Sequence, residues 1–374
     1  MTVPVSRGGG PVRPLPPKPR RLLTTRTHDS LGGTPTLRSL LIATHTDALV
    51  VLHEGRIAAE WYADPAAETT PHPLHSVTKS WVGCLAGILI DRGELVPEAP
   101  AAAYVPALAN GGYAGVTVRD LLDMRTGGDY AEIHDDPGGE LAIMGEIVGW
   151  RDETGQAATL SLREYAAYVP RVGLNGGPFS YRSLDTEVLG WVIEEVTGVP
   201  LAELISDWLL GPVGAEADGL MTVDRVGDPL ASGGLSLIPR DVARFGQMLL
   251  DGGSVGRKQI VPTMFIKDTR IGQPDSVAAF HARVGERLGP NAPYPAQGIY
   301  RNQFWVPRQG GRQLLCLGVH GQTIMLDGES QMVAVKLSSW PTPQSPQLFS
   351  DGLACLTACA EILSGRSDEV SMLR

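Results

Sequence analysis

The sequence predicts an α+β fold: an antiparallel sheet with helices on its faces (an α/β/α sandwich), and a mostly helical lobe inserted into it. Three observations carry that prediction. Strand-period segments occupy both ends of the chain, helix-period segments fill its middle, and one early helix is apolar on most of its sides.

The ordered chain is expected to start near Leu37. The run from Asp47 to Tyr62 reads as two strands around a Glu54-Gly55 turn, a hairpin. A polar loop, 63–73, precedes a helix over 76–92 that Gly93 stops. Its apolar positions surround the axis (Val77, Trp81, Val82, Leu85, Ile88, Leu89), as in a helix at a protein's centre. Gly83, Ala86 and Gly87 allow neighbours to approach it closely. Helical patterns follow at 117–124, with Thr117 as cap, at 185–197, closed by Gly198, at 201–210, and at 239–250 before Gly252-Gly253. After Tyr300 the period returns to strands at 303–306, 313–319, 323–326 and 332–337, and an apolar helix over 348–363 closes the fold. The sheet lobe is thus expected at about 37–96 and 291–374, and the helical lobe at about 97–290. Trp150, Trp191 and Phe280 are read as core rather than pocket.

Residues 1–36 are rich in Gly, Pro and Arg and lack the apolar core of a secretory leader. They read as a disordered tail on a cytoplasmic protein. A net charge of -10 disfavours a nucleic-acid binder, and no apolar run is long enough to span a bilayer. Cys84, Cys316, Cys355 and Cys359 lack metal-ligand spacing and read as small buried hydrophobes. No cofactor or metal is expected.

Chemistry enters with Ser76-Val77-Thr78-Lys79, which opens the central helix. Residues three apart share a helix face, so hydroxyl and amine can meet. A partly desolvated lysine can be neutral enough to take a serine's proton. The chain holds 5 lysines and 21 serines, so chance supplies about 0.3 such pairs. Taken alone, the pair also fits a helix cap with its lysine in solvent. Tyr181-Arg182-Ser183 follows a Gly-Gly-Pro loop: Tyr181 is either a packed aromatic or a proton relay beside the ammonium. Gly318-Val-His320-Gly321-Gln322 lies between two strand patterns, where the glycines would let a substrate approach the backbone. His320 equally fits a core histidine.

Taken in order, these motifs resemble the serine β-lactamase and penicillin-binding-protein superfamily, whose pattern is S-x-x-K, S/Y-x-N and K-T-G. The variant Ser76–Lys79, Tyr181–Ser183 and His320–Gln322 is similar to its class C β-lactamase-related branch of carboxylesterases and 6-aminohexanoate-oligomer hydrolases. Segments 117–127 and 231–245 resemble family stretches that frame the site. The resemblance implies a β-lactamase/DD-peptidase-like fold with its site between the lobes. Ser76 would form an acyl-enzyme, with Lys79 and Tyr181 as acid and base. The oxyanion would rest on the N–H groups of Ser76 and Gln322, and His320, Gly321, Ser183 and His134 would line the substrate.

Two departures bear on the substrate. The third motif has no lysine, which disfavours β-lactam or D-Ala-D-Ala peptide cleavage. His134 stands where nylon-oligomer hydrolases tend to carry a tyrosine associated with amide cleavage, which favours esters. The expected partner is therefore a small-molecule ester or amide, with no nucleic acid or membrane, and a homodimer is allowed. The competing expectations are a β-lactamase or peptidase, or a catalytically silent binding protein of the same fold.

Overall fold

The structure, a computed structural model, describes residues 1–134, 136–152, 159–287 and 297–365. The chain opens with β1 (Thr2–Val5), α1 (Leu37–Ala43), β2 (Thr46–His53) and β3 (Arg56–Tyr62). A short strand, β4 (His72–Pro73), leads through a 3₁₀ turn at His75–Val77 into α2 (Thr78–Asp91). The helical part contains α3 (Val118–Leu122), α4 (Glu140–Ile147), α5 (Leu162–Tyr168), α6 (Ser183–Thr197) and α7 (Leu201–Ile205). Next come β5 (Gly219–Thr222), β6 (Leu235–Leu237) and α8 (Pro239–Leu250). They are followed by β7 (Ser254–Val255), β8 (Lys258–Gln259), α9 (Thr263–Ile271) and α10 (Pro274–Arg287). The last strands are β9 (Ile299–Arg301), β10 (Phe304–Val306), β11 (Gln313–Gly318), β12 (Gln322–Asp327) and β13 (Met332–Ser338), before α11 (Pro346–Leu363).

Seven antiparallel strands form the main sheet in the order β3-β2-β13-β12-β11-β10-β9, so its halves come from opposite chain ends. Alternation along each strand splits the core. Val50, Leu52, Val333 and Val335 pack with α2 and α8, while Leu49, Val51, Met332 and Ala334 pack with α1 and α11. This is the α/β/α sandwich. The β2–β3 hairpin turns at Glu54-Gly55, both at positive φ, as a tight turn between twisted strands requires.

Residues 1–36 differ from the sequence expectation. They are not a free tail: β1 pairs with β5, and β1-β5-β6-β4 form a second sheet. Further on, the Lys18 and Arg20 N–H groups donate to the Ile57 and Ala58 carbonyls (2.8 and 2.7 Å), so the segment covers the edge strand β3. Leu22 is fully buried. The segment has no periodicity because its order comes from edges supplied by the rest of the chain. Among the described residues no helix is long and apolar enough to cross a membrane.

The centre is α2, buried along nearly its whole length. Trp81 stacks on Phe245 of α8 with ring centres 3.8 Å apart. Gly83 faces the two-residue turn Asn302-Gln303 between β9 and β10: a Cβ there would lie 2.5 Å from the Asn302 carbonyl oxygen. That turn tip is buried, with Asn302 and Gln303 at φ 54° and 69°. Its polar groups are met from both sides. Asn302 accepts from Arg119 and donates to Asp268, while Gln303 donates to the Leu121 carbonyl and accepts from Thr186. The hairpin therefore ties the helical part to the sheet beside α2. Gly83→Val is expected to destabilise the fold by about 1–3 kcal/mol, because the rigid turn cannot yield. Urea unfolding measures it, and an unchanged midpoint contradicts the close approach.

Candidate active site

Ser76 lies at the end of the chain's descent from β4, in the turn that starts the central helix. His75 before it takes φ 47°, an uncommon conformation for a non-glycine residue, and this bend presents Ser76 at the head of α2. Leu74 anchors the bend by donating its N–H to the Leu235 carbonyl (2.9 Å).

Lys79 is 1 % exposed, and its ammonium group donates three hydrogen bonds. The acceptors are Ser76 Oγ at 2.9 Å, Ser183 Oγ at 3.0 Å and the Ser232 carbonyl at 2.9 Å. The helical spacing of the pair thus becomes contact, and the alternative with Lys79 in solvent does not apply. Burial pushes Lys79 down to about 8, against Glu132 and Glu187, whose charges raise it. Glu187 is buried too, which moves it up to about 7. Its two oxygens accept the Ala231 and Ser232 N–H groups at 2.8 Å each, and this turns the Ser232 carbonyl toward Lys79.

Tyr181 stands over the amine, with Lys79 Nζ 5.2 Å from its ring centre. The ring stacks on Trp305 (5.4 Å) and meets Tyr300 edge-on (5.8 Å). Its loop is pinned on both sides: Ser180 N–H donates to the Met124 carbonyl, and Arg182 donates to the carbonyls of Thr126 and Tyr130. Ser183, the first residue of α6, donates both its N–H (2.9 Å) and its hydroxyl (2.7 Å) to the carboxyl of Glu132.

The third motif lies beside Ser76, where the ends of β11 and β12 pair. The strand end that abuts Ser76 is Gly318, where a Cβ would lie 3.2 Å from the Ser76 nitrogen. Gly321 gives room to the Trp340 indole rather than to an open cleft. His320 is tied at Nδ1 to the Trp340 carbonyl (2.7 Å), and its N–H donates to the Pro343 carbonyl. Gln322 starts β12, and its side-chain amide bonds to the carbonyls of Val319, His320 and Ser338 and to the Ser338 N–H. Its side chain holds the turn, while its backbone pairs opposite Gly318, the residue that abuts Ser76. His134 lies in the loop two residues beyond Glu132, half-buried.

Several site neighbours were not singled out in the sequence. His75 sits 5.5 Å from His320 and edge-on to Trp150 (5.8 Å), and burial pushes it down to about 4, so it is neutral. Trp150, expected in the core, is half exposed beside it. Trp191 is partly buried at the margin of the core, and Phe280 is within it as expected. Glu187 had a legible signal, a carboxylate among apolar residues on α6; Glu132, in a polar loop, had none. All four cysteines are buried and unpaired by disulfides.

Residues 39–351 match the family model described as Beta-lactamase. The chain belongs to the beta-lactamase family. It is 36% identical over 313 residues to the 6-aminohexanoate-dimer hydrolase of Paenarthrobacter ureafaciens, covering 83% of this chain and 77% of that one. It is 28% identical over 195 residues to Esterase EstB of Burkholderia gladioli, 49% of this chain and 47% of the esterase. A solved structure described as a candidate 6-aminohexanoate-dimer hydrolase of Bacillus anthracis superposes with a TM-score of 0.86 at 26% identity, over 98% of this chain and 92% of that one. This member of the beta-lactamase family is a serine hydrolase with the family's antiparallel-sheet fold.

Because burial lowers Lys79 to about 8 from an ordinary 10.5, the folded chain releases this proton before the unfolded chain does. Between those values the unfolded state binds more protons, so stability rises with pH. Wild type is expected to gain up to about 3 kcal/mol relative to Lys79→Met from about pH 8 to about pH 10.5. Paired urea titrations across that range test this, and parallel curves contradict it.

Proposed function

We propose that the chain cleaves carboxylic esters, with short linear amides of the 6-aminohexanoate type as harder substrates, through an acyl-enzyme on Ser76. The supporting observation is the 2.9 Å contact between Ser76 Oγ and a buried Lys79 whose pKa is drawn toward neutrality. In this reading Ser76 Oγ attacks the carbonyl carbon as its proton leaves for the Lys79–Tyr181 pair, which then returns a proton to the leaving group. Water repeats the sequence to release the acid.

The oxyanion would rest on the Ser76 N–H, which has no backbone acceptor in the 3₁₀ turn, and on a second N–H. For that second donor we take the Gln322 N–H, because Gln322 is paired directly opposite Gly318, the residue of β11 that abuts Ser76. The third motif lacks a lysine, so a substrate carboxylate is left without that cation, which weighs against β-lactams. An alkoxide leaves with less help than an amine, so esters come first.

A fluorophosphonate is expected to label Ser76, and Ser76→Ala to lower p-nitrophenyl acetate turnover by about 10³-fold or more. Peptide mapping and stopped assays read both; surviving turnover in Ser76→Ala would sink the mechanism. Activity should fall as pH drops below about 8, as the amine takes up a proton. Saturable, Ser76-dependent nitrocefin cleavage faster than ester cleavage would reassign the substrate to β-lactams.

A further inference from the structure

Lys79 has more hydrogen-bonding partners than a neutral amine has N–H bonds, so the polarity of each contact decides what the amine can do. The Ser232 carbonyl can only accept, and it takes one N–H at 2.9 Å. Ser183 Oγ owns a single proton and lies between Lys79 Nζ (3.0 Å) and Glu132 Oε1 (2.7 Å). The other oxygen of Glu132 already accepts the Ser183 N–H at 2.9 Å, a donor that cannot be reversed. With both oxygens facing donors the group fits an acceptor-only carboxylate, and the hydroxyl proton goes to it. Ser183 Oγ is left with lone pairs toward Lys79, so it takes the amine's second N–H. A tetrahedral nitrogen with both N–H bonds committed has one direction left, and Ser76 Oγ at 2.9 Å is the third of these hydrogen-bond partners.

We propose that Glu132 is a positioning residue: acting through Ser183, it sets the hydrogen-bond polarity that aims the Lys79 lone pair at Ser76 and so makes Lys79 the base of the acylation step. This rests on the reading of Ser76 and Lys79 above and extends it by assigning the base within the Lys79–Tyr181 pair. In the step itself, Ser76 Oγ bonds to the carbonyl carbon, the carbonyl π pair moves to oxygen, and the Ser76 proton passes to Lys79 Nζ. The resulting ammonium keeps its bonds to Ser183 and Ser232 and holds the new proton toward the departing alkoxide. No other reactant is needed.

Glu132→Gln separates this role from simple capping of α6. A glutamine must turn its carbonyl oxygen to the fixed Ser183 N–H, which puts its NH₂ against Ser183 Oγ. The hydroxyl then donates to Lys79 and draws the lone pair away from Ser76. The helix N–H stays capped, so a purely structural Glu132 predicts little change.

The experiment measures kcat and KM for p-nitrophenyl acetate in wild type, Glu132→Gln, Ser183→Ala, the double variant and Ser76→Ala, across pH. Glu132→Gln is expected to lose about 100-fold in kcat with KM within about twofold. In the Ser183→Ala background the same change should cost less than about threefold, because the intermediary is gone. The groups facing Lys79 are Glu132, Glu187, the Tyr181 ring and, more distantly, His75. Removing the Glu132 charge takes away an influence that raises Lys79, so the acid limb of the residual activity should move to lower pH. The pH limb is read on the active fraction alone, which keeps the test valid for a poorly folding variant. Glu132→Gln within about threefold of wild type, an unmoved limb, or a full 100-fold loss persisting without Ser183 overturns the assignment. Turnover surviving in Ser76→Ala instead overturns the underlying mechanism.

Discussion

The structure depends on keeping one amine out of water. Lys79 sits in the helix at the centre of the fold, where an ammonium ion is costly unless every direction around it is filled by a polar partner. Those partners come from three separated stretches: Ser76 on its own turn, Ser183 at the head of α6, and Ser232 in the loop before β6. Two of them are themselves oriented by a carboxylate, Ser183 by Glu132 and Ser232 by Glu187. Glu187 shares the burial it relieves, and it rises toward neutrality as Lys79 falls toward it. Local charge and local protonation are thus one problem with one joint solution.

A second buried lysine shows why burial by itself does not create a site. Lys336 on β13 is equally enclosed and is likewise pushed down to about 8 by desolvation. Its Nζ donates to Ser338 Oγ at 2.6 Å, two residues along the same strand, and lies 5.7 Å from the Trp340 ring centre. It sits on the α11 side of the sheet, where strand alternation places it with Ala334 and Met332. Ser338 is buried with it, whereas Ser76 is only half-buried. A nucleophile needs an activated neighbour and also an approach for substrate; of these two pairs, the Lys79 pair combines them.

The parts around Lys79 are held in register by a charge network that crosses between the helical region and the sheet. Arg301, on the edge strand β9, bonds to Asp123 after α3 and to Asp268 on α9. Asn302 and Gln303, at the buried turn that follows, bond to the same neighbours and to α6. The positive φ values there are tolerated because the surrounding bonds leave the turn no other arrangement. The next strand, β10, carries Trp305, on which Tyr181 stacks, so the turn's position is transmitted to the ring over Lys79. Loss of one member of this network leaves buried charges unpaired and is felt at the site.

Local sequence determined the elements whose signals are local. Period and capping located the 54–55 hairpin, the central helix, the helix 239–250 and the last three strands of the sheet, because burial on a defined face repeats every two or 3.6 residues. Ser76, Lys79 and Tyr181 were legible because the first two are one helical turn apart and the third belongs to a motif in order. Tertiary structure alone decided the rest. The order of residues 1–36 depends on edges offered by β3 and β5, which no composition reveals. The turn from His320 to Gln322 is packed on Trp340, eighteen residues after Gln322 in the chain, a contact no local pattern reveals. Glu132, in a loop without periodicity, acquires its place only when the chain brings it to Ser183, fifty-one residues away. Direction of hydrogen bonding is a property of neighbours in space, and that is where the chemistry of Lys79 is set.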